Sequence, residues 1–159
     1  MNWITIVCFG LSVFFQTSTP VIREVFEGAG DTATKAEAFY TQSLKLGDDD
    51  LSNAYKGAAL ITKGKYEKGI KNKKALIVKG AGLLDKAVEN KPKDVEIRLV
   101  RLIIQEHLPT IVKYKSNLQE DKNMIISHYA NQSVDLKKWI STYAKQSTVF
   151  TAEDRKKLL

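Results

Sequence analysis

The chain has 159 residues, enough for one domain and too few for two ordinary ones, and its 43% hydrophobic content is enough to build a core, which excludes wholesale disorder. Three prolines and nine scattered glycines are too sparse for a sandwich or barrel, whose turns recur about every 8–12 residues, and good helix formers dominate, so the expected class is all-α. The formal charge of +7 suits an anionic partner, but a lysine-solvated helical surface accounts for it equally well.

The first element is an apolar run, Trp3 to Phe15, without a charged residue. Thirteen helical residues do not comfortably span a hydrocarbon core about 30 Å thick, but they match the h-region of a secretory signal. Residues 1–19 are therefore expected to be a removable signal peptide, with a periplasmic or secreted product. The flanks depart from an ideal signal: no Lys or Arg precedes the run, and Thr17-x-Thr19 is followed by Pro20. An uncleaved membrane anchor and a buried first helix remain the alternatives. Cys8 is the only cysteine and lies inside this run, so neither an intramolecular disulfide nor a thiolate zinc site can form.

Residues 20–30 read as a connector, followed by a helical domain over 31–150 and a short terminal turn over 151–159. Asp31 or Thr32 can cap a helix running towards Leu46, with Ala36, Phe39, Tyr40, Ser43 and Leu44 on or beside its core face. Asp48-Asp49-Asp50 lacks the alternating ligand spacing of a calcium loop and reads as capping for a helix over Leu51 to Tyr66. In that helix Ala54, Tyr55, Ala58, Ala59 and Ile61 are the packing positions. The small residues Gly57, Ala58 and Ala59 admit a close neighbour.

From Lys63 to Lys79 there are seven lysines against one acid, Glu67. This segment reads either as a solvated turn between helices or as a docking site for an anionic surface, with Lys63, Lys65, Lys68, Lys71, Lys73 and Lys74 as the contacts. Nucleic acid is not expected as a partner: Tyr66 is the one aromatic residue interleaved with the lysines, and stacking needs more.

A third helix is expected over Lys73 to Asn90, burying Leu76, Ile77, Leu83, Leu84, Ala87 and Val88 and ending before Pro92. Asp94 then caps a fourth, Val95 to Leu108. On it Arg98, Arg101 and Gln105 follow Asp94 at offsets that place all four on one face, a stripe able to grip the carboxylates of a protein or peptide partner. Helices over Leu118 to Asn131 and Leu136 to Gln146 follow, and Thr151-x-x-Asp154 is a capping-box variant.

The stretch "GLLDKAVENKPKDVEIRLV", Gly82 to Val100, resembles tetratricopeptide-repeat proteins, with Leu84, Ala87 and Pro92 at the offsets of that family's late large-apolar, Ala and Pro positions. "AYKGAALI", Ala54 to Ile61, is similar to the first helix of such a repeat, and "AEAFYTQSLKLGDDD" to the second helix of a preceding one. The resemblance covers residues 33–108 and implies antiparallel helical hairpins whose groove binds a protein or peptide. Within a repeat of about 34 residues, the interval from the Ala59 region to Pro92 is roughly nine residues too long, the excess falling in the lysine-rich segment. A compact bundle of about six helices is the other architecture open to the chain.

No nucleophile elbow, phosphate-binding loop or helical zinc motif occurs, and no converging carboxylate pair of the kind acid–base hydrolysis needs is evident. "KGAG" at Lys79 to Gly82 sits inside an apolar helical pattern and follows no strand, unlike a phosphate cradle. His107 and His128 stand alone near expected helix ends. No catalytic set, metal site or cofactor is expected. Asn131-Gln132-Ser133 matches the glycosylation acceptor pattern, which has meaning only in a eukaryotic secretory route.

Overall fold

A computed structural model describes residues 19–158. They form an all-α protein of eight helices: α1 (Thr19–Phe26), α2 (Ala33–Ser43), α3 (Asp50–Tyr66), α4 (Ile70–Asn90), α5 (Val95–His107), α6 (Leu118–His128), α7 (Val134–Gln146) and α8 (Ala152–Lys156). Short 3₁₀ turns follow α5 at Thr110–Val112 and α6 at Tyr129–Asn131, and no strand occurs among the described residues. The apolar run, with Cys8, lies outside the described residues.

The segment expected as a connector is helical over most of its length. Ile22 and Phe26, four residues apart, are both buried and give α1 one apolar face to dock, and Ala29 is buried in the turn that follows. The Phe26 ring packs at 5.1 Å from Phe39 and meets Tyr55 and Trp139 edge-on, joining α1 to α2, α3 and α7.

Side-chain caps set most of the other helix starts. Thr32 accepts from the Lys35 amide, Asp94 from those of Glu96 and Ile97, and Ser133 from that of Leu136. Asp49 caps α3 through the Ser52 amide, while Asp48 pairs with Lys56 and Asp50 accepts from Asn90; the aspartate run is a cap with two surface contacts. Thr151 and Asp154 form a reciprocal capping box on α8. Helix α2 ends at Ser43, three residues short of Leu46, and Leu44 points outward at 60% exposure instead of packing.

Helices α3 and α4 make an antiparallel hairpin closed by Glu67–Gly69. Asp50 meets Asn90 at one end, and Gly64 lies against Lys73, Leu76 and Ile77 near the other. Between them the backbones cross at Gly57 and Gly80, where a Cβ on Gly57 would sit 2.6 Å from the Gly80 carbonyl oxygen. "KGAG" thus supplies a helix-packing glycine.

The hairpin's two halves are covered unequally. Leu84, Ala87 and Val88 are buried, but from Ile70 to Lys79 no residue is, and Leu76, Ile77 and Leu83 are only partly covered. That half of α4 packs chiefly on α3, whereas the later half also meets α5 and the Tyr114 loop.

Helix α5 is the centre of the molecule. Every residue from Val95 to Leu102 is buried, as are Ile104 and Gln105, because α1, α3, α4, α6 and α7 surround it. A helix enclosed on all sides must satisfy its polar residues internally.

Candidate functional site

The stripe expected to grip a partner, Arg98, Arg101 and Gln105, lies on the enclosed helix. Arg98 and Arg101 are each 4% exposed and Gln105 is fully buried. Both arginines do grip carboxylates, but those of the chain itself. Arg101 holds Asp121 of α6 through Nε to Oδ2 at 2.8 Å and Nη2 to Oδ1 at 2.7 Å, and reaches Asp85 of α4 through Nη1 at 3.2 Å. Arg98 donates to Asp121 at 2.8 Å, to Glu120 at 2.5 Å and to the Pro92 carbonyl at 3.0 Å. Burial opposes the charge on each guanidinium, yet the hydrogen bonds and charge of Asp121, joined by Glu120 at Arg98 and Asp85 at Arg101, together outweigh it and raise both above the ordinary arginine value. Gln105 makes one long contact, 3.4 Å to Asn117, and its Oε1 is buried without a partner. The stripe is the lock between α5 and α6, closed to a partner.

Two further polar centres, not singled out by spacing in the sequence, also stitch helices together. Glu96, 6% exposed, accepts from Arg23 Nε at 2.7 Å, from a second Arg23 nitrogen, and from the Tyr55 hydroxyl at 2.7 Å. The Arg23 guanidinium also lies 5.6 Å from the centre of the Trp139 ring. Glu106 accepts from Tyr143 and Ser147 of the α7 end and from the Thr148 amide and hydroxyl. Burial opposes the Glu106 charge, but these donors outweigh it and hold the carboxyl below its usual value. Each centre is saturated by its own fold, and a surplus group able to do chemistry is absent from both.

The turn within the lysine-rich segment is shorter than expected, Glu67–Gly69, because the next helix begins at Ile70 and takes in Lys71. Only Lys68 lies in the turn; Lys63 and Lys65 are on α3, and Lys71, Lys73, Lys74 and Lys79 are on α4. Within the set, Lys63 pairs with Glu37 at 2.9 Å and sits 4.0 Å over the Tyr40 ring. Lys65 donates to the Gly30 carbonyl at 2.6 Å, and Lys73 to the Lys65 carbonyl at 3.1 Å. The ammonium groups of Lys68, Lys71, Lys74 and Lys79 have no hydrogen-bond or ion-pair partner among the described residues, and all four residues are exposed. No Asp or Glu occurs from Lys68 to Leu84.

Helix α4 compounds this local charge. Its first turn carries no acid, and its N-cap, Gly69, has a φ of 82° and offers no side-chain cap. Lysines near the positive end of a helix dipole are disfavoured by a few tenths of a kcal/mol each, roughly. The fold thus concentrates uncompensated positive charge on one face.

His107 and His128 each place Nδ1 near a carbonyl of their own helix, at 2.8 Å from Ile103 and 3.1 Å from Met124. Among the described residues no group of three or more His, Cys, Asp or Glu side chains converges as a metal site. No helix among them is long and apolar enough to cross a membrane.

Fold and site together define an all-α helical bundle with a locked central helix and one basic outward face. No protein-family model matches the chain, and no curated protein or solved structure is significantly similar to it.

Proposed function

We propose that the protein is a non-catalytic helical scaffold that docks on an anionic partner through the outward face of the α3–α4 hairpin. The observation that carries this reading is the division among the lysines. Lys63, Lys65 and Lys73 are engaged within the fold, while Lys68, Lys71, Lys74 and Lys79 project without partners from an acid-free segment. Within about 8–10 Å, the screening length near physiological salt, such charges act together on a polyanion. The antiparallel hairpin, with α5 packed on it, supports reading residues 33–108 as a tetratricopeptide-like scaffold. A partner-binding groove at Arg98, Arg101 and Gln105 has no support, since α6 fills it. Export after removal of the N-terminal segment completes the reading, with membrane anchoring through that segment as its alternative.

Elution from heparin–agarose by increasing salt tests the docking face. A K68Q/K71Q/K74Q/K79Q variant is compared with K93Q/K138Q/K145Q/K157Q, whose lysines are also exposed and which loses the same charge elsewhere. The first variant should elute at clearly lower salt than the second. Equal shifts in both would reduce the effect to net charge and defeat the assignment.

A further inference from the structure

We infer that the anionic partner is a lipid bilayer, met by the first half of α4 lying flat in the headgroup layer; this rests on the docking reading above. The outward surface of this half consists of two adjacent rows at four-residue spacing. One is Ile70, Lys74, Val78 and Gly82, and the other is Lys71, Ala75 and Lys79; every one of these residues is exposed. Ile70 is 87% and Val78 61% exposed, so two branched apolar side chains stand in water between lysines. They are about 12 Å apart along the axis and about 80° apart around it, on the outward side of the helix.

That interleaving selects the occupant. A soluble polyanion would use the lysines and gain nothing from Ile70 or Val78. Stacking with nucleic-acid bases has no platform here, because Tyr66 is turned to the Gly30 carbonyl as a hydrogen-bond donor. An anionic bilayer rewards both classes of side chain at once: phosphates meet Lys68, Lys71, Lys74 and Lys79, while Ile70 and Val78 reach the acyl boundary. The described helices offer no membrane-spanning segment, so this contact is peripheral.

Sedimentation with vesicles, run beside heparin–agarose elution, tests the inference on the full folded domain. The vesicles are phosphatidylcholine alone or with about 30 mol% phosphatidylglycerol. The wild type should bind the mixed vesicles and not the neutral ones, with about a fivefold loss of partitioning for each of Lys68, Lys71, Lys74 and Lys79 changed to Gln. An I70S/V78S variant should lose about tenfold in vesicle binding while eluting from heparin at the wild-type salt concentration. Full vesicle binding by I70S/V78S overturns the bilayer assignment. Heparin retention without vesicle binding also overturns it but leaves the docking face standing, with a soluble polyanion as the occupant. Loss of both wild-type interactions defeats the docking reading itself. Unchanged helical circular dichroism in the variants, expected because both apolar residues are exposed, ties each loss to the surface.

Discussion

Arg101 and Asp121 form a two-point clamp across the α5–α6 interface, with parallel hydrogen bonds of 2.8 and 2.7 Å and the Asp121 side chain fully excluded from solvent. Arg98 adds a third bond to the same carboxylate. Removing Asp121 leaves Arg98 and Arg101 with only the exposed carboxylates of Glu120 and Asp85, and breaking such a buried set typically costs about 3–5 kcal/mol. Asp121→Asn should therefore destabilise the protein on that scale in urea denaturation. A loss below about 1 kcal/mol would mean that α6 does not depend on the clamp.

The Gly57–Gly80 crossing makes an opposite pair of expectations for two glycines of one helix. A Cβ at Gly80 would meet Ile61 at 2.7 Å and the Gly57 backbone closer still, so Gly80→Ala must push α3 and α4 apart. We expect a net loss of about 1–3 kcal/mol despite alanine's better helix propensity. Gly82 has nothing within 4 Å of the added carbon, and Gly82→Ala should stabilise by about 0.5–1 kcal/mol. Thermal melts of the two variants should move in opposite directions.

Acid should weaken the attachment of α8. The Thr151 amide, and after it Lys122 at 3.0 Å, hold the Asp154 carboxyl down to about 2 from an ordinary 3.8. A carboxylate whose pKa is lowered on folding contributes stability that is fully present above its unfolded value. That contribution is lost as pH falls through the folded value, here from about pH 4 towards 2. Its size is on the order of 1–2 kcal/mol. The stability gap between wild type and Asp154→Asn should be wide at pH 6 and nearly closed at pH 2, and a gap independent of pH would contradict this role.

The start of α1 limits where an export signal can be cut. Ile22 is 1% exposed and Arg23 bonds Glu96, so a mature chain has to retain both. Intact-mass measurement on protein from an envelope or culture-supernatant fraction should place the N-terminus at or near Pro20. A cytosolic product still beginning at Met1 would end the export proposal.

Much of the fold was legible because its signals are local. Caps at Asp49, Asp94 and Thr151 act over three residues, and Pro92 stops a helix wherever it stands. Helix α1 is hard to read from the sequence although Ile22 and Phe26 share its face, because the segment is short and follows a stronger apolar run. Leu76 and Ile77 have the helical spacing of core residues but are only partly covered, because the first half of α4 packs chiefly on one neighbour. Lys68, Lys71 and Lys74 are among the expected contacts and Lys79 is not, and nothing in the spacing distinguishes the outward lysines from Lys63, Lys65 and Lys73, whose acceptors are Glu37, Gly30 and the backbone of α3.

By itself the sequence determined the helical class, most helix limits and the common face of Arg98, Arg101 and Gln105, since periodicity and capping depend on near neighbours along the chain. Only the tertiary structure decided what that face meets. Asp121 lies 20 residues from Arg101, and their pairing depends on α6 folding back over α5. The same packing encloses the arginines and leaves Ile70, Val78 and four lysines on the surface, because burial is a property of how many helices surround a residue and not of the residue's place in a pattern.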